Sequence, residues 1–517
     1  MATASAWSVA LLGMDGVLVE VEAAIAAGLP KTVLVGLPDT ALYEARDRCR
    51  AAAAATGLAW PPHLLTINLT PASLPKAGSH YDLAIMAAVL VAAEAAPPMV
   101  ARTSVFMGEL GLDGRVRRVR GVLPGLLAAR DAGMTQAIVP ACQEGEARLV
   151  DGLTVFGVAC LEDLVEVLHG RPVRTRRVPT DSVAVRRRRR AGDPGDVPDL
   201  ADVVGQPEAR WALEVAAAGG HHVFLHGAPG LGKTMLAQRL PGLLPDLTTA
   251  EGLEVSALHS LAGEDLSDGL ITRPPLADPH YNATLAAMVG GGSRLARPGA
   301  ISLAHRGVLF LDEAPEFAPH VMEALRTPLE SGVIAIARSQ GIVRFPARFQ
   351  LVLAANPCPC GQAGTPGAMC RCTPMAIRRY NQRLSGPVLD RIDIHQHLLP
   401  AQTRLAAALD PSPETTVVVA ARVAEARARA RRRLAGLGWS VNAEVPGGVV
   451  RKTLPSPGDT RLLDEAVARG RLSARGIDKV IRLAWTLADL AGRDRVAADD
   501  LGAAMGLHAG DWQAVAA

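Results

Sequence analysis

Apolar and polar residues change their pattern twice along the chain. In residues 1–170, short runs rich in Val, Leu and Ile, such as 32–35, 64–67 and 137–139, alternate with Ala-rich stretches. The runs predict strands, and the apolar stretch 82–93 predicts a buried helix. Because strands alternate with helices, we expect an α/β or α+β domain here.

The later parts of the chain have different patterns. Residues 200–400 alternate apolar strands with helices, which is typical of a nucleotide-binding domain built on a parallel sheet. In residues 401–517, Ala, Arg, Leu and Glu recur at helical spacing and predict a helical bundle. At roughly 150 residues per domain, a chain of this length also suggests about three domains. The predicted fold class is therefore α/β.

Residues 171–199 separate the first two parts and contain few apolar residues. Prolines and like charges predict an exposed linker there. Its charge fits either a solvated linker or a contact with nucleic acid. The clustered basic positions are Arg174, Arg176, Arg177 and the unbroken run Arg186–Arg190.

Composition excludes several classes of protein. Hydrophobic residues make up 49% and charged residues 20% of the 517 positions, which excludes wholesale disorder. The 54 Lys and Arg residues nearly balance the 51 Asp and Glu residues, which excludes a strongly basic, histone-like protein but leaves room for a local basic patch. Aromatic residues are 3%, which argues against a binding surface built mainly on base stacking.

The early residues do not resemble a secretory signal, because no Lys or Arg precedes Lys31 and acidic residues interrupt the apolar stretch. The apolar segment 83–93 is shorter than the roughly 20 residues that cross a bilayer. We therefore expect a cytoplasmic protein with no membrane partner. The scattered cysteines are expected to be reduced and buried; they are Cys49, Cys142 and Cys160.

The strongest chemical signal is the segment 227–234, which matches G-x-x-x-x-G-K-[ST] between a predicted strand, 222–226, and a predicted helix, 235–240. Glycines let backbone N–H groups turn toward phosphates, and the helix N-terminus adds the positive end of its dipole. Lys233 is expected to reach the β- and γ-phosphates, and the Thr234 hydroxyl to ligate Mg²⁺. The predicted ATP-binding loop is Gly227, Ala228, Pro229, Gly230, Leu231, Gly232, Lys233 and Thr234.

Two more apolar runs end in polar residues. The run 308–311 ends in Asp312 and Glu313. Asp312 is predicted to bind Mg²⁺ and Glu313 to polarise the attacking water, which implies hydrolysis. The run 349–355 ends in Asn356, which would contact the γ-phosphate or the water, because the ends of parallel strands converge on the ligand. A turn-forming Asn before a proline explains the local sequence equally well.

Four cysteines form two Cys-x-Cys pairs separated by nine residues; they are Cys358, Cys360, Cys370 and Cys372. Four thiolates suit tetrahedral coordination of zinc. The spacing departs from the usual Cys-x-x-Cys pattern, so a reduced loop without metal is the alternative. A zinc ion here would be structural, because no further group suggests an open catalytic position.

The order of these elements resembles an AAA+ ATPase. More closely, nearly the whole chain resembles the magnesium-chelatase-like AAA+ proteins of the YifB/ComM family. The segments that carry the resemblance are 199–206, 297–313, 356–361 (Asn-Pro-Cys-Pro-Cys-Gly), 384–393 and 472–476 (Leu-Ser-Ala-Arg-Gly).

The resemblance assigns further roles. Arg391, within Leu-Asp-Arg-Ile-Asp, aligns with the arginine finger that such ATPases insert into the neighbouring subunit's site. Arg475 aligns with the sensor arginine of the helical lid. A finger supplied by a neighbour requires a ring, so the family's homo-hexamer is expected. Residues 332–345 read as a β-hairpin that the resemblance directs toward the ring pore; its Arg338 and Arg344 are candidates for phosphate contact or for solvated charges.

The N-terminal part resembles the Lon-protease-type domain of this family, on residues 74–82 and 106–116. Active Lon proteases use a serine–lysine dyad. His80 stands at the position that matches the serine, Ser79 lies one place off, and the matching lysine region, 121–125, contains no lysine. The resemblance therefore implies a retained fold without peptidase chemistry.

The resemblance to ComM-type members implies an ATP-driven ring motor with DNA, branched or single-stranded, as its sequence-independent partner. Such a motor would act as a helicase and migrate branches during recombination of transforming DNA. The first alternative is the ATPase subunit of a magnesium chelatase. The second is an ATP-dependent protease, against which the missing dyad argues.

Overall fold

The computed structural model describes residues 2–36, 40–74, 76–173, 198–292, 296–338, 341–364, 369–399, 413–453, 460–470 and 472–510. The arginines predicted to form a basic linker, at 174, 176, 177 and 186–190, lie outside these residues.

The elements follow one another in three groups. The first comprises β1 Ala2–Leu12, β2 Asp15–Ala26, β3 Lys31–Val35, α1 Thr40–Ala55, β4 Leu64–Thr70, α2 Asp82–Ala92, α3 Pro98–Thr103, β5 Ser104–Phe106, β6 Glu109–Leu110, β7 Val116–Arg117, α4 Val122–Asp131, β8 Gln136–Pro140, α5 Glu144–Ala147, β9 Thr154–Val158 and α6 Leu161–Leu168. The second comprises α7 Pro207–Gly219, β10 Val223–His226, α8 Lys233–Leu243, α9 Thr249–Ala262, β11 Leu276–Ala277, α10 Leu285–Val289, β12 Gly290–Gly291, β13 Arg297–Pro298, α11 Ala300–Leu303, β14 Val308–Leu311, α12 Pro319–Ala324, α13 Arg326–Ser331, β15 Val333–Arg338, β16 Gly341–Pro346, β17 Gln350–Ala355, α14 Pro374–Asn381, α15 Gly386–Leu389 and β18 Ile394–His397. The third comprises α16 Thr416–Arg433, α17 Gly447–Thr453, α18 Arg461–Ala468, α19 Ala474–Leu490 and α20 Ala498–Ala509.

A mixed seven-stranded sheet organises the N-terminal group, with the strand order β3-β4-β2-β1-β5-β8-β9. β1 and β2 form a long antiparallel hairpin, whereas β5, β8 and β9 continue the sheet in parallel. The predicted helix α2 is buried at almost every position, because nearly all of its side chains are apolar and it lies within the core.

The central group contains a five-stranded parallel sheet in the order β11-β14-β17-β10-β18. Every residue of β10, β14 and β17 is buried, as expected for strands that are covered on both faces. His226, the last residue of β10, pairs with Ala355, the last residue of β17. The carboxyl ends of these neighbouring strands are therefore level. The two sheets and their helices confirm the predicted α/β class.

The C-terminal helices pack against the central sheet through one hydrophobic core. Val423 on α16 and Trp485 on α19 belong to the same buried cluster as Leu225 on β10. The Lys479 ammonium on α19 donates to the carbonyl of Ile392, just before β18. These helices are thus fixed to the segment that carries Arg391.

The N-terminal sheet docks on the central group through α9 and the hairpin β15–β16. A single buried cluster joins Leu11 and Leu123 of the first group to Leu261 on α9 and Phe345 on β16. Polar contacts complete the docking: the backbone N–H of Gly121 donates to the Ser260 carbonyl at 3.1 Å. The predicted hairpin therefore exists, and one of its faces is covered by the N-terminal sheet.

Burial of the isolated cysteines was predicted correctly for only one of three. Cys49 is buried, but Cys142 is exposed and Cys160 is half-buried. Cys142 lies in a 3₁₀ turn at the surface, and Cys160 is the N-cap of α6, a helix end where the chain meets solvent. Among the described helices, none is long and apolar enough to cross a bilayer.

Candidate active site

The glycine-rich loop connects β10 to α8 at the carboxyl edge of the central sheet. Gly230 and Gly232 have φ angles of 78° and 90°, in the left-handed region that residues with a β-carbon rarely adopt. Gly232 is the N-cap of α8, so the free N–H groups of the first helical turn face the loop. These features make an anion site of the kind that binds phosphate.

Lys233 lies inside this loop and is buried. Its ammonium donates to the carbonyls of Gly227 and Ala228, at 2.7 and 3.0 Å, and to Asn356 Oδ1 at 2.8 Å. Burial lowers the pKa of Lys233, and the carboxylates of Asp312 and Glu313 oppose that shift. The lysine thus holds the ends of β10 and β17 together.

Thr234 and Asp312 meet although they are far apart in sequence. The Thr234 hydroxyl donates to Asp312 Oδ2 at 2.7 Å. A hydroxyl and a carboxylate, both oxygen donors, are ligands that Mg²⁺ accepts. The structure therefore brings together the two residues predicted to hold Mg²⁺, and their donor set fits that ion.

Glu313 follows Asp312 in a strained conformation. Its φ angle is 52°, which is uncommon for a residue with a side chain. Its backbone N–H donates to Asp312 Oδ1 at 2.9 Å. Strain of this kind is found at functional sites, where the surroundings enforce a position that the residue alone would not choose. Glu313 therefore lies beside Asp312 at the carboxyl end of β14, and the role predicted for it stays a prediction.

Asn356 had two sequence-based interpretations, a site residue or a turn former. Its side chain accepts the hydrogen bond from Lys233, which places it in the candidate site. Its backbone hydrogen-bonds to Tyr380 on α14, and burial raises the pKa of that phenol to about 12. Tyr380 is thus a supporting residue that no sequence motif marked.

Arg391 and Arg475 lie together in an open cleft beside α13 and α15. Arg391 pairs with Glu330 of α13, and Arg475, on α19, pairs with Asp390 at 2.8 Å. Within the described residues, neither arginine hydrogen-bonds to the glycine-rich loop, Asp312, Glu313 or Asn356. The structure thus groups the two predicted arginines with each other, in a cleft whose described lining includes no residue of the glycine-rich loop.

The four clustered cysteines follow β17 directly. Their sulfur atoms all lie within 4.8 Å of one another. A hydrogen bond from the backbone N–H of Gln362 is the main reason that the pKa of Cys360 is lowered, to about 6. The thiols predicted to bind zinc are therefore brought together and are compatible with that metal.

The connection between β4 and α2 contains Lys76 near Ser79, but the two side chains have different partners. Lys76 is buried and donates to the Gly36 carbonyl at 3.1 Å, whereas Ser79 hydrogen-bonds to Glu109. His80 Nε2 lies 2.8 Å from the Val9 carbonyl. These contacts account for each side chain as part of the fold, and no serine–lysine pair forms among the described residues.

The hairpin arginines occupy different surroundings. Arg338 donates to the carbonyl of Gly292, and Arg344 is exposed on the strand that carries the buried Phe345. Their role in a pore remains a prediction.

Three family models match successive parts of the chain. Residues 21–143 match "Subunit ChlI of Mg-chelatase", residues 199–406 match "Magnesium chelatase, subunit ChlI", and residues 413–508 match its C-terminal model. Over 505 residues, 97% of this chain and 96% of the relative, the sequence is 39% identical to the uncharacterized protein YifB of Escherichia coli K12. The identity to the competence protein ComM of Haemophilus influenzae is 37% over 514 residues, 98% of each chain.

The chain belongs to the YifB/ComM family of magnesium-chelatase-like proteins. A third relative, an uncharacterized protein of Mycobacterium tuberculosis H37Rv, is 51% identical over 507 residues, again 98% of both chains. Family membership thus extends over nearly the full length, and the predicted resemblance is confirmed.

Proposed function

We propose that this member of the YifB/ComM family is an ATP-hydrolysing ring motor that acts on DNA in the cytoplasm, as a helicase and in branch migration during transformation-associated recombination. The observation that carries the ATP-dependent part is the convergence of Lys233, Thr234, Asp312, Glu313 and Asn356 at one edge of the parallel sheet. Full-length similarity to a protein named for competence supports the DNA-directed part.

Each residue has a distinct task in the proposed hydrolysis. Lys233 and the loop amides bind the phosphates, and Thr234 with Asp312 would hold Mg²⁺. When bound, Mg²⁺ neutralises charge on the phosphate oxygens. Glu313 accepts a proton from the attacking water as that water bonds to the γ-phosphorus, while the bond from the γ-phosphorus to the β–γ bridging oxygen breaks and ADP leaves. Asn356, already hydrogen-bonded to Lys233, orients the water or the γ-phosphate.

The arginine cleft supplies the part that is missing from each chain's own site. Arg391 and Arg475 share one cleft, and among the described residues that line it none belongs to the glycine-rich loop. In the proposed homo-oligomer, expected to be a hexamer, this cleft faces the neighbouring subunit's γ-phosphate. Arg391 then stabilises the charge that develops on the transferring phosphoryl group, an effect worth about 10³–10⁵ in rate where arginine fingers have been tested.

A metal-chelatase role is the second candidate. It is favoured by the three matching family models, each of which describes the ChlI subunit of magnesium chelatase. The cysteine pairs and the N-terminal part, which by the resemblance described above mark the YifB/ComM branch, favour the DNA motor.

The decisive experiment compares the rate of ATP hydrolysis with no DNA, with linear duplex and with a four-way junction. We expect stimulation by DNA, with the junction giving the largest effect. A parent protein that binds no DNA at any salt concentration would favour the chelatase candidate.

The salt series also tests the arginine run. Contacts to phosphates make log affinity fall linearly with log salt, by a slope that grows with the number of contacts. Replacement of Arg186–Arg190 by serine should flatten this slope, whereas replacement by lysine, which keeps the charge, should preserve it. Equal slopes in all three proteins would show that Arg186–Arg190 do not contact DNA and would favour the alternative of a solvated linker.

A further inference from the structure

The four cysteine thiols stand at the distances of a metal tetrahedron. The sulfur atoms of Cys358 and Cys360 are 3.4 Å apart, and each lies 3.7 Å from that of Cys370. Tetrahedral zinc with Zn–S bonds of about 2.3 Å requires sulfurs about 3.8 Å apart. A disulfide needs about 2.05 Å, far less than any of these separations.

Backbone groups already point at the sulfur atoms. The N–H of Ala363 donates to Cys358 Sγ at 3.3 Å, and the N–H groups of Gln362 and Arg371 face Cys360. Such donors stabilise negative charge on sulfur and orient a thiolate, as outer partners of metal ligands do. The backbone of this loop therefore directs N–H donors at the sulfur atoms of Cys358 and Cys360.

The cysteine loop also contacts the nucleotide site. Gly361 has a φ angle of 77°, and a β-carbon there would lie 2.5 Å from Cγ of Pro229 in the glycine-rich loop. Before the cysteines, the chain leaves the sheet at Asn356, which holds Lys233. After the cysteines, α14 begins and carries Tyr380, whose hydroxyl is hydrogen-bonded to the backbone of Asn356. The cluster thus lies between the two segments that surround one side of the site.

We propose that Cys358, Cys360, Cys370 and Cys372 bind one zinc ion as thiolates, and that this ion braces the glycine-rich loop and Asn356 for nucleotide binding. Binding replaces the thiol protons, so that up to four protons leave as four Zn–S bonds form. The metal site stands apart from the proposed function, whereas its effect on nucleotide binding rests on the ATP site proposed above.

The first test measures metal in the full-length protein. We expect about one zinc per chain by elemental analysis, and thiolate-to-metal charge-transfer absorption after exchange with Co²⁺. Combined Cys360→Ser and Cys372→Ser substitution should abolish both signals, whereas Cys142→Ser, at an exposed cysteine outside the cluster, should keep them. A parent protein without zinc that also gives no thiolate absorption with added Co²⁺ overturns the inference.

The second test measures the affinity for a non-hydrolysable ATP analogue. Removal of zinc from the parent by a chelator under reducing conditions, which needs no variant, should weaken binding about tenfold, or about 1.4 kcal/mol. Added zinc should restore the affinity. Unchanged affinity after complete zinc removal refutes the bracing role and leaves only a local structural site.

Two further variants separate this inference from the proposed function. Lys233→Ala should no longer bind the analogue but should keep its zinc. If this variant binds the analogue as tightly as the parent does, the assignment of the ATP site is wrong, and the inference of a zinc site is unaffected. Gly361→Ala should keep zinc and weaken the analogue, because its new β-carbon collides with Pro229. Normal nucleotide affinity in Gly361→Ala contradicts the contact between the two loops.

Discussion

Phe345 offers a quantitative test of how the N-terminal sheet is joined to the central group. Its ring is fully buried on β16, among side chains of both groups and of α9. A β-carbon at Gly13, in the turn between β1 and β2, would lie 3.6 Å from Phe345 Cε1. Truncating the ring therefore leaves a cavity at the docking surface itself, and not inside either sheet's own core.

We expect Phe345→Ala to cost about 3–5 kcal/mol, the usual range for a buried Phe replaced by Ala. That is a large share of the roughly 5–15 kcal/mol by which folded domains are stable. Because the lost contacts join two groups, most of this cost should weaken docking. The equilibrium for separation of the groups should then rise by about 10²–10³-fold.

Amide hydrogen exchange read by mass spectrometry measures this opening. Protection should fall in α4 and α9, which pack on each other, and change little in α2, which is buried within the N-terminal core. Ile342→Ala is the matched control, because Ile342 is on the same strand but is 61% exposed. If both variants show the same protection in α4 and α9, the hairpin does not hold the N-terminal sheet.

Three further predictions concern chemistry and pH. Glu313→Gln should keep nucleotide affinity and reduce turnover to background, since an amide accepts no proton from water; hydrolysis at the parent rate would remove Glu313 from its role. Mixing Arg391→Ala with Glu313→Gln subunits, each inactive alone, should restore part of the activity at interfaces that combine both native residues; a mixture that stays inactive contradicts a finger supplied by the neighbour. Burial, together with the charges of His397 and Lys233, lowers the pKa of His226 from the ordinary 6.5 to about 4. Between these two pH values the unfolded chain binds a proton at this residue and the folded chain does not. The free energy of unfolding should therefore fall as pH drops from about 6.5 to 4. Melting temperatures across that range should fall less steeply in His226→Gln, and parallel curves would contradict this assignment.

The candidate site was predictable because its residues lie in short contiguous sequence motifs. The glycine-rich loop, the acidic strand end and Asn356 each follow an apolar run, and parallel strands bring such ends to one edge. Asn356 had an equal interpretation as a turn former, and only its 2.8 Å contact with Lys233 distinguishes the two. Motif and topology together therefore predict which residues meet, while individual contacts need coordinates.

Contacts between distant segments left no comparable trace in the sequence. Phe345 stands in the short run Gly-Ile-Val-Arg-Phe-Pro, which has no clear alternation of apolar and polar residues, so nothing marked its burial against β1 and β2. Glu330 forms an ion pair with Arg391 but belongs to no sequence motif. Asp390, which precedes Arg391 in the chain, pairs with Arg475 instead. The exposure of Cys142 was missed because residue type states only an average tendency toward burial.

In the proposed ring, the ion pairs in the arginine cleft would make contact between subunits an exchange of ionic partners. Arg391 and Arg475 are held by carboxylates of their own chain, so an approaching phosphate must displace Glu330 and Asp390. Because the guanidinium groups already have an anion, the exchange adds little net charge attraction, and its outcome depends on the difference between a carboxylate and a phosphate. A γ-phosphate has more charge and more acceptor oxygens than a carboxylate, so it would displace the carboxylates. Once the phosphate is released, Glu330 and Asp390 would pair with the arginines again. Each boundary between subunits would thereby distinguish ATP from ADP, because only the γ-phosphate of ATP would compete with Glu330 and Asp390 for the two arginines.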